Sequence, residues 1–165
     1  MKSLLPFSLL CLIAVASFSQ TGTWTAVSTL APHPSGGGML LLSDGTVLVK
    51  SSSGGGSYGN TYDRLTPNSS GSYVNGTWSS IAPMINTRLY YSSQVLKDGR
   101  VYVAGGEYGT VGASGEVYNP LTNTWTAAPA PGATLSDANS EILEDGRIEI
   151  VEAGTTCLLT FTAQR

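Results

Sequence analysis

Little in this chain could carry covalent chemistry. It holds one histidine, His33, in the loop Ala31-Pro32-His33-Pro34, and two cysteines, Cys11 and Cys157. A Ser-His-Asp triad has no support: any serine could be paired with His33 on paper, but no Gly-x-Ser-x-Gly elbow is present to expose a nucleophile. The runs Gly36-Gly37-Gly38 and Gly54-Gly55-Gly56 lack the Lys-Ser/Thr and the following helix that a phosphate loop needs. Glu141, Glu144, Asp145, Glu149 and Glu152 form an acidic run without the ligand spacing of a calcium loop. Alternation along a strand places Glu149 and its neighbours on a solvated face. These residues imply no metal, no cofactor and no catalytic constellation, and His33 reads as an ordinary loop residue.

Composition says what kind of scaffold must position any functional group. The 165 residues fit one domain. Only 12% are charged, 20 are glycine, and Thr, Ser, Val and Tyr are frequent, so turns and β-formers dominate. An all-β fold is expected. The net charge of −3 and the scattering of the 8 Lys and Arg leave no basic footprint for nucleic acid.

Residues 1–19 read as a separate object. Lys2 gives a positive start, Leu4 to Ala16 is nearly all apolar, and small residues follow at Ser17 and Ser19. This is the pattern of a secretory signal peptide, cleaved after Ala16 or Ser19, and the apolar run is too short for a membrane span. A secreted protein, extracellular or periplasmic, is therefore expected. Cys11 would leave with the leader. Cys157 would then be the only thiol, with no intrachain disulfide possible, and packing would have to supply stability.

The remaining chain repeats. Trp24, Trp78 and Trp125 are each followed, 20 residues on, by an Asp-Gly pair: Asp44-Gly45, Asp98-Gly99 and Asp145-Gly146. The Trp-to-Trp periods of 54 and 47 residues suit propeller blades. Each unit reads as four short strands. The first strands are Met39–Leu42, Ser92–Leu96 and Ser140–Leu143, and the second are Thr46–Lys50, Arg100–Ala104 and Arg147–Val151. A two-residue type I′ turn at Asp-Gly would join the two. Tyr62–Leu65 and Glu116–Tyr118 are third strands. Thr23–Val27, Thr77–Ile81 and Thr124–Ala127 are fourth strands, whose Trp rings would pack between blades. The reading is one orphan outer strand, two full blades and the first two strands of a third. That is about two and a half blades within 20–153, followed by a tail, 154–165, that leaves the repeat. So few blades cannot close a ring, and open edges after Val151 would favour self-association.

The passage DGRVYVAGGEYG…GEVYNPLTNTW, with Gly105-Gly106, Tyr118 and Trp125 at their characteristic places, resembles a kelch repeat. The first unit, MLLLSDGTVLV…GSYVNGTWSSIAPM, resembles the secreted kelch-type propellers of the galactose oxidase-like superfamily. The resemblance implies an incomplete kelch-type β-propeller, the N-terminal blades of a longer architecture. Galactose oxidase itself uses copper held by Tyr and His ligands with a Cys-linked Tyr radical. One histidine cannot build that centre, so no copper residue carries over.

The meander sorts the loops onto two ends of the blades. The Asp-Gly turns share one end with the loop that carries the N-glycosylation sequons at Asn68 and Asn75. The other end collects 51–60, 83–90, 105–113 and 129–137, and is Gly-rich and Tyr-bearing. Arg88, Tyr90, Tyr91, Glu107, Tyr108 and Asp137 are expected to face a ligand there, as loops on rigid scaffolds do. The function expected is a secreted binding or interaction module for a protein or carbohydrate ligand. The alternative is the N-terminal fragment of a galactose oxidase-like enzyme without its copper site.

Overall fold

The computed structural model describes residues 22–33, 37–51, 59–108, 112–130, 132, 134–152 and 155–160, with 155–159 described by backbone alone. The expected signal peptide lies outside the described residues. Three antiparallel sheets account for all the strands described. The first holds β1 (Met39–Leu41), β2 (Val47–Ser51), β3 (Thr61–Thr66) and β4 (Thr77–Ser80) in that order. The second repeats the meander with β5 (Ser92–Val95), β6 (Val101–Ala104), β7 (Gly115–Asn119) and β8 (Thr124–Ala128). The third runs β9 (Asn139–Ile142), β10 (Ile148–Glu152) and β11 (Thr155–Leu159). The fold is a row of propeller-like blades side by side, with no closed ring among the described residues.

Three expectations are corrected. The third unit has three strands, because β11 pairs with β10 from Ile148↔Leu159 to Glu152↔Thr155 although its sequence leaves the repeat. Backbone ladders need alternation and space, not a motif. Thr23–Val27 is not a strand, and Trp24 is fully exposed. A fourth strand needs a third to pair with, and the described residues hold none on that side. Finally, the Asp-Gly turns are not type I′. Gly45, Gly99 and Gly146 have φ of 80°, 84° and 87°, while the preceding aspartates keep negative φ. Gly45 N donates to Leu42 O at 3.0 Å and Leu42 N to Thr46 O at 2.8 Å, which is a type I turn closed by a left-handed glycine. The same pair of bonds recurs at Leu96 and Leu143. Each aspartate holds the turn, its Oδ1 accepting the N–H two residues on: Thr46 at 2.9 Å, Arg100 at 3.1 Å and Arg147 at 3.0 Å.

Cores lie between sheets. Leu42, Leu48 and Tyr62 of the first sheet pack on Val101, Val103, Tyr118 and Trp125 of the second. Leu96, Tyr102, Ala104 and Val117 of the second pack on Ile148 and Ile150 of the third. Strict alternation makes this possible, since each sheet must present one apolar face to each neighbour. Trp125 does what its position suggested. Its ring lies 5.1 Å from Tyr118 and 5.7 Å from Tyr62, and its Nε1 donates to Ala82 O at 2.8 Å. Trp78 repeats the indole bond, donating to Thr29 O at 3.1 Å.

Candidate functional site

The linkers that enter the blades must be fixed before their loops can present anything. A carboxylate on each sheet does this, and in the third it is Glu152, whose Oε1 accepts Ser136 N at 3.1 Å. Glu116, fully buried on β7, accepts Ile85 N at 2.7 Å and Asn86 N at 3.1 Å. Asp63, fully buried on β3, accepts His33 N at 3.0 Å. The two sit at one repeat position, opposite Val103 and Val49 respectively, each five residues after the turn aspartate. In the third sheet the same register, opposite Ile150, falls on Cys157.

This clamp corrects two expectations. His33 is more than a loop residue: its Nδ1 lies 2.9 Å from Asp63 Oδ1. Ser80 Oγ donates to the same oxygen at 3.2 Å, so Ser, Asp and His meet in one place. They do not form a nucleophilic triad, because the carboxylate sits between hydroxyl and imidazole, where the imidazole would have to be. Arg88 is not ligand-facing. It is fully buried, with Nη2 on Glu116 Oε1 at 2.9 Å and on Ser114 Oγ at 2.7 Å. Its Nη1 donates to Gly105 O at 2.6 Å and Ser114 O at 2.9 Å. A guanidinium so fully used inside is a brace.

Tyr91 also turns inward. Its hydroxyl meets that of Tyr62 at 2.5 Å, and burial first, then Tyr62, pushes it well above the usual phenol range. Its neighbour Tyr90 turns outward and is 52% exposed, and Tyr108 is 66% exposed. Their rings meet edge to face at 6.2 Å and 65°. Glu107 N donates to Leu89 O at 2.8 Å, stitching the two loops that carry these rings. Burial first, and then the carboxylate of Asp137 beside it, raises the Glu107 carboxyl above its ordinary range. Four of the six expected residues thus gather at one end of the blades: Tyr90, Glu107, Tyr108 and Asp137.

Their backbone is unusual. Tyr90, Tyr108 and Asp137 have φ of 48°, 53° and 47°, in the left-handed region that side chains rarely adopt. Tyr90 and Asp137 occupy equivalent places, each eight residues before its turn aspartate. In the first unit that offset falls on Gly36, outside the described residues. Gly105 and Gly106, with φ of 85° and 148°, let the next linker close in. Gly106 N donates to Leu135 O at 2.8 Å, and a Cβ on Gly105 would stand 2.7 Å from that same oxygen.

The opposite end carries a groove of about 300 Å³ lined by Leu42, Asp44, Asp98, Arg100, Pro120 and Leu121 among others. Its carboxylates are already engaged, Asp44 by Thr46 and Asp98 by Arg100 at 2.7 Å. Tyr73 Oη donates to Gly45 O at 2.7 Å, which places the loop of Asn68 and Asn75 at this end too. Asn68 is occupied, its Oδ1 accepting Ser70 N and Ser72 N at 3.0 and 2.9 Å, while Asn75 is exposed.

The family profile described as Kelch motif matches residues 88–132, which span the second sheet from Arg88 to Gly132. These residues are a kelch repeat. The repeat's Gly-Gly is the approach point for Leu135, and its Tyr118 and Trp125 fill the interface with the first sheet. The chain is similar to galactose oxidase of Gibberella zeae, 39% identical over 67 residues, which are 39% of this chain and 9% of that protein. It is also similar to the spermatocyte protein spe-26 of Caenorhabditis elegans, 34% identical over 76 residues, which are 41% of this chain and 13% of that protein. The solved structure of YjhT superposes with a TM-score of 0.54 and 19% identity over 76% of this chain and 35% of its own, a likeness of fold. The matches thus span about a tenth of the two curated relatives' lengths.

A copper centre of the galactose oxidase kind does not fit these residues. The sequence has one histidine, and Asp63 holds it. Among the described residues no three His, Cys, Asp or Glu side chains converge on a point. No helix among them is long and apolar enough to cross a membrane.

Proposed function

We propose that the chain is a secreted binding module whose ligand contacts Tyr90, Tyr108, Glu107 and Asp137. The observation that carries this is the exposed tyrosine pair held by left-handed backbone. Two large rings in water, fixed by loops whose linkers are clamped beneath, cost little further ordering when they take up a ligand. Strained residues of this kind persist where the surroundings determine them, and they cluster at binding sites. The carboxyls beside the rings add polar orientation, which suits a protein or carbohydrate surface with both apolar and hydroxyl or cationic groups. Glycans at Asn68 or Asn75 would leave this end free.

The test is a combined glycan and peptide array probed with the full chain and with the Tyr90→Ala/Tyr108→Ala variant. Signals of the parent chain should fall at least about tenfold in the variant, the loss expected for two anchoring rings. The melting temperature should stay within about 2 °C, because both rings are outside the cores. An unchanged binding profile would remove these residues from the site.

A further inference from the structure

The two loops that carry the exposed rings share one side chain in the interior. Arg88 lies two residues before Tyr90, and the segment from Gly105 to Ser114 carries Glu107 and Tyr108. A guanidinium has five N–H donors in a rigid fork, and all five of Arg88's are spent on protein acceptors. Nε and Nη2 reach Glu116 Oε1 at 3.3 and 2.9 Å. Nη2 also donates to Ser114 Oγ at 2.7 Å, and Nη1 to Gly105 O at 2.6 Å and Ser114 O at 2.9 Å. Charge pairing with Glu116 uses only the first two of these bonds. The other three close on both ends of the Tyr108 segment, which Gly105 N joins to each other through Ser114 O at 3.1 Å.

The repeat sets this arrangement apart. Ten residues before the turn aspartate the three units carry Pro34, Arg88 and Leu135, and two residues further on Gly36, Tyr90 and Asp137. The guanidinium thus occurs in the unit whose linker brings a ring. A proline or a leucine side chain at that place donates nothing. One more bond, Glu107 N to Leu89 O at 2.8 Å, ties the two segments between Arg88 and the rings. Tyr90 and Tyr108 then hold φ of 48° and 53°, a strained backbone that persists only where its surroundings over-determine it.

We propose that Arg88 is the positioning residue of the Tyr90–Tyr108 pair, its one guanidinium setting how the two ring-bearing loops stand to each other. This rests on the reading of that pair as the ligand contact. In the full chain with labelled tyrosine, a nuclear Overhauser contact should join the two rings, which meet edge to face at 6.2 Å. Arg88→Lys keeps a charge for Glu116, but its single ammonium cannot span Glu116, Ser114 and Gly105 together. The ring contact should be lost in that variant while the amides of β6 and β7 stay protected. Ser114→Ala deletes one acceptor and should weaken the contact; it decides in place of Arg88→Lys should the lysine variant not fold. Val103→Ala opens a cavity in the core between the sheets, and should lower the melting temperature while leaving the ring contact intact. On the glycan and peptide array, signals that depend on Tyr90 and Tyr108 should fall about tenfold in Arg88→Lys, because the pair is no longer pre-organised. They should persist in Val103→Ala. A ring contact that survives both Arg88→Lys and Ser114→Ala, or that vanishes equally in Val103→Ala, overturns the proposal, as do array signals unchanged in Arg88→Lys. A parent chain silent on the array counts against the binding module alone, and the ring contact then decides the role of Arg88.

Discussion

Lys50 shows how one side chain can set a property of the molecule. It lies at the end of β2 among buried groups, with Nζ donating to Ser51 O at 2.6 Å. Burial disfavours its charge and lowers the amine to about 8 from 10.5. The unfolded chain therefore binds more protons than the folded one between about pH 8 and 10.5, so stability rises with pH across that window. Tyr62, Tyr91 and Tyr102 act in the other direction, since burial raises all three phenols and their contribution fades as pH climbs past 10. The melting temperature is expected to increase from pH 8 to about 10 and then fall. Lys50→Met should raise it at pH 7 and flatten the ascending limb. A flat profile in the parent would mean that the amine is solvated. None of this was readable from the sequence, where Lys50 is simply the end of a strand. Its burial is a property of packing, with Gly37 of the incoming linker close to its side chain, and no spacing encodes that. The same holds for Arg88, whose polar character suggested a ligand contact while Glu116 claimed it for the interior.

At the level of elements, the glycines divide by what surrounds them. Gly45 and Gly105 both need positive φ, at 80° and 85°. A Cβ on Gly45 would meet nothing within 4 Å, whereas one on Gly105 would press on Leu135 O at 2.7 Å and Leu135 Cβ at 2.8 Å. Gly45→Ala should then cost about 1–2 kcal/mol, the conformational penalty alone. Gly105→Ala should cost about 3 kcal/mol or more, because the incoming linker must also move. Urea titration of both variants would decide, and equal losses would mean that the linker yields freely. The strands themselves were legible, because period-2 alternation and the Asp-Gly punctuation are properties of the local sequence. The turn type was not. Asp-Gly satisfies a type I′ turn and a type I turn with a left-handed glycine equally well, and only the loop length measured in space separates them. β11 was missed for the opposite reason, since its pairing needs no repeat motif. Tyr90 and Asp137 share a backbone conformation at one repeat offset, and Gly36 at that offset in the first unit was the signal that could have pointed to it.

For the molecule as a whole, the buried carboxylates imply an order of events. Asp63 and Glu116 each bind the linker that leads into their own sheet, about 30 residues back along the chain. Each sheet is therefore locked from behind, by chain that has already been laid down, and the locks couple nearest neighbours only, as in a one-dimensional lattice. The third sheet has Cys157 at that register, and its linker is held instead by the partly exposed Glu152 of β10, whose Oε1 accepts Ser136 N at 3.1 Å, a weaker lock than the fully buried Asp63 and Glu116. Opening should begin there and travel backwards. Native-state hydrogen exchange should find the amides of β9 and β10 exchanging through a small opening event, with β6 and β7 protected up to the global unfolding free energy. Simultaneous release of all three sheets would mean that the acids are decoration. If the order holds, a chain with this architecture unravels like a ratchet run in reverse, one tooth per buried acid, with its tyrosine pair still assembled after the last sheet has begun to let go.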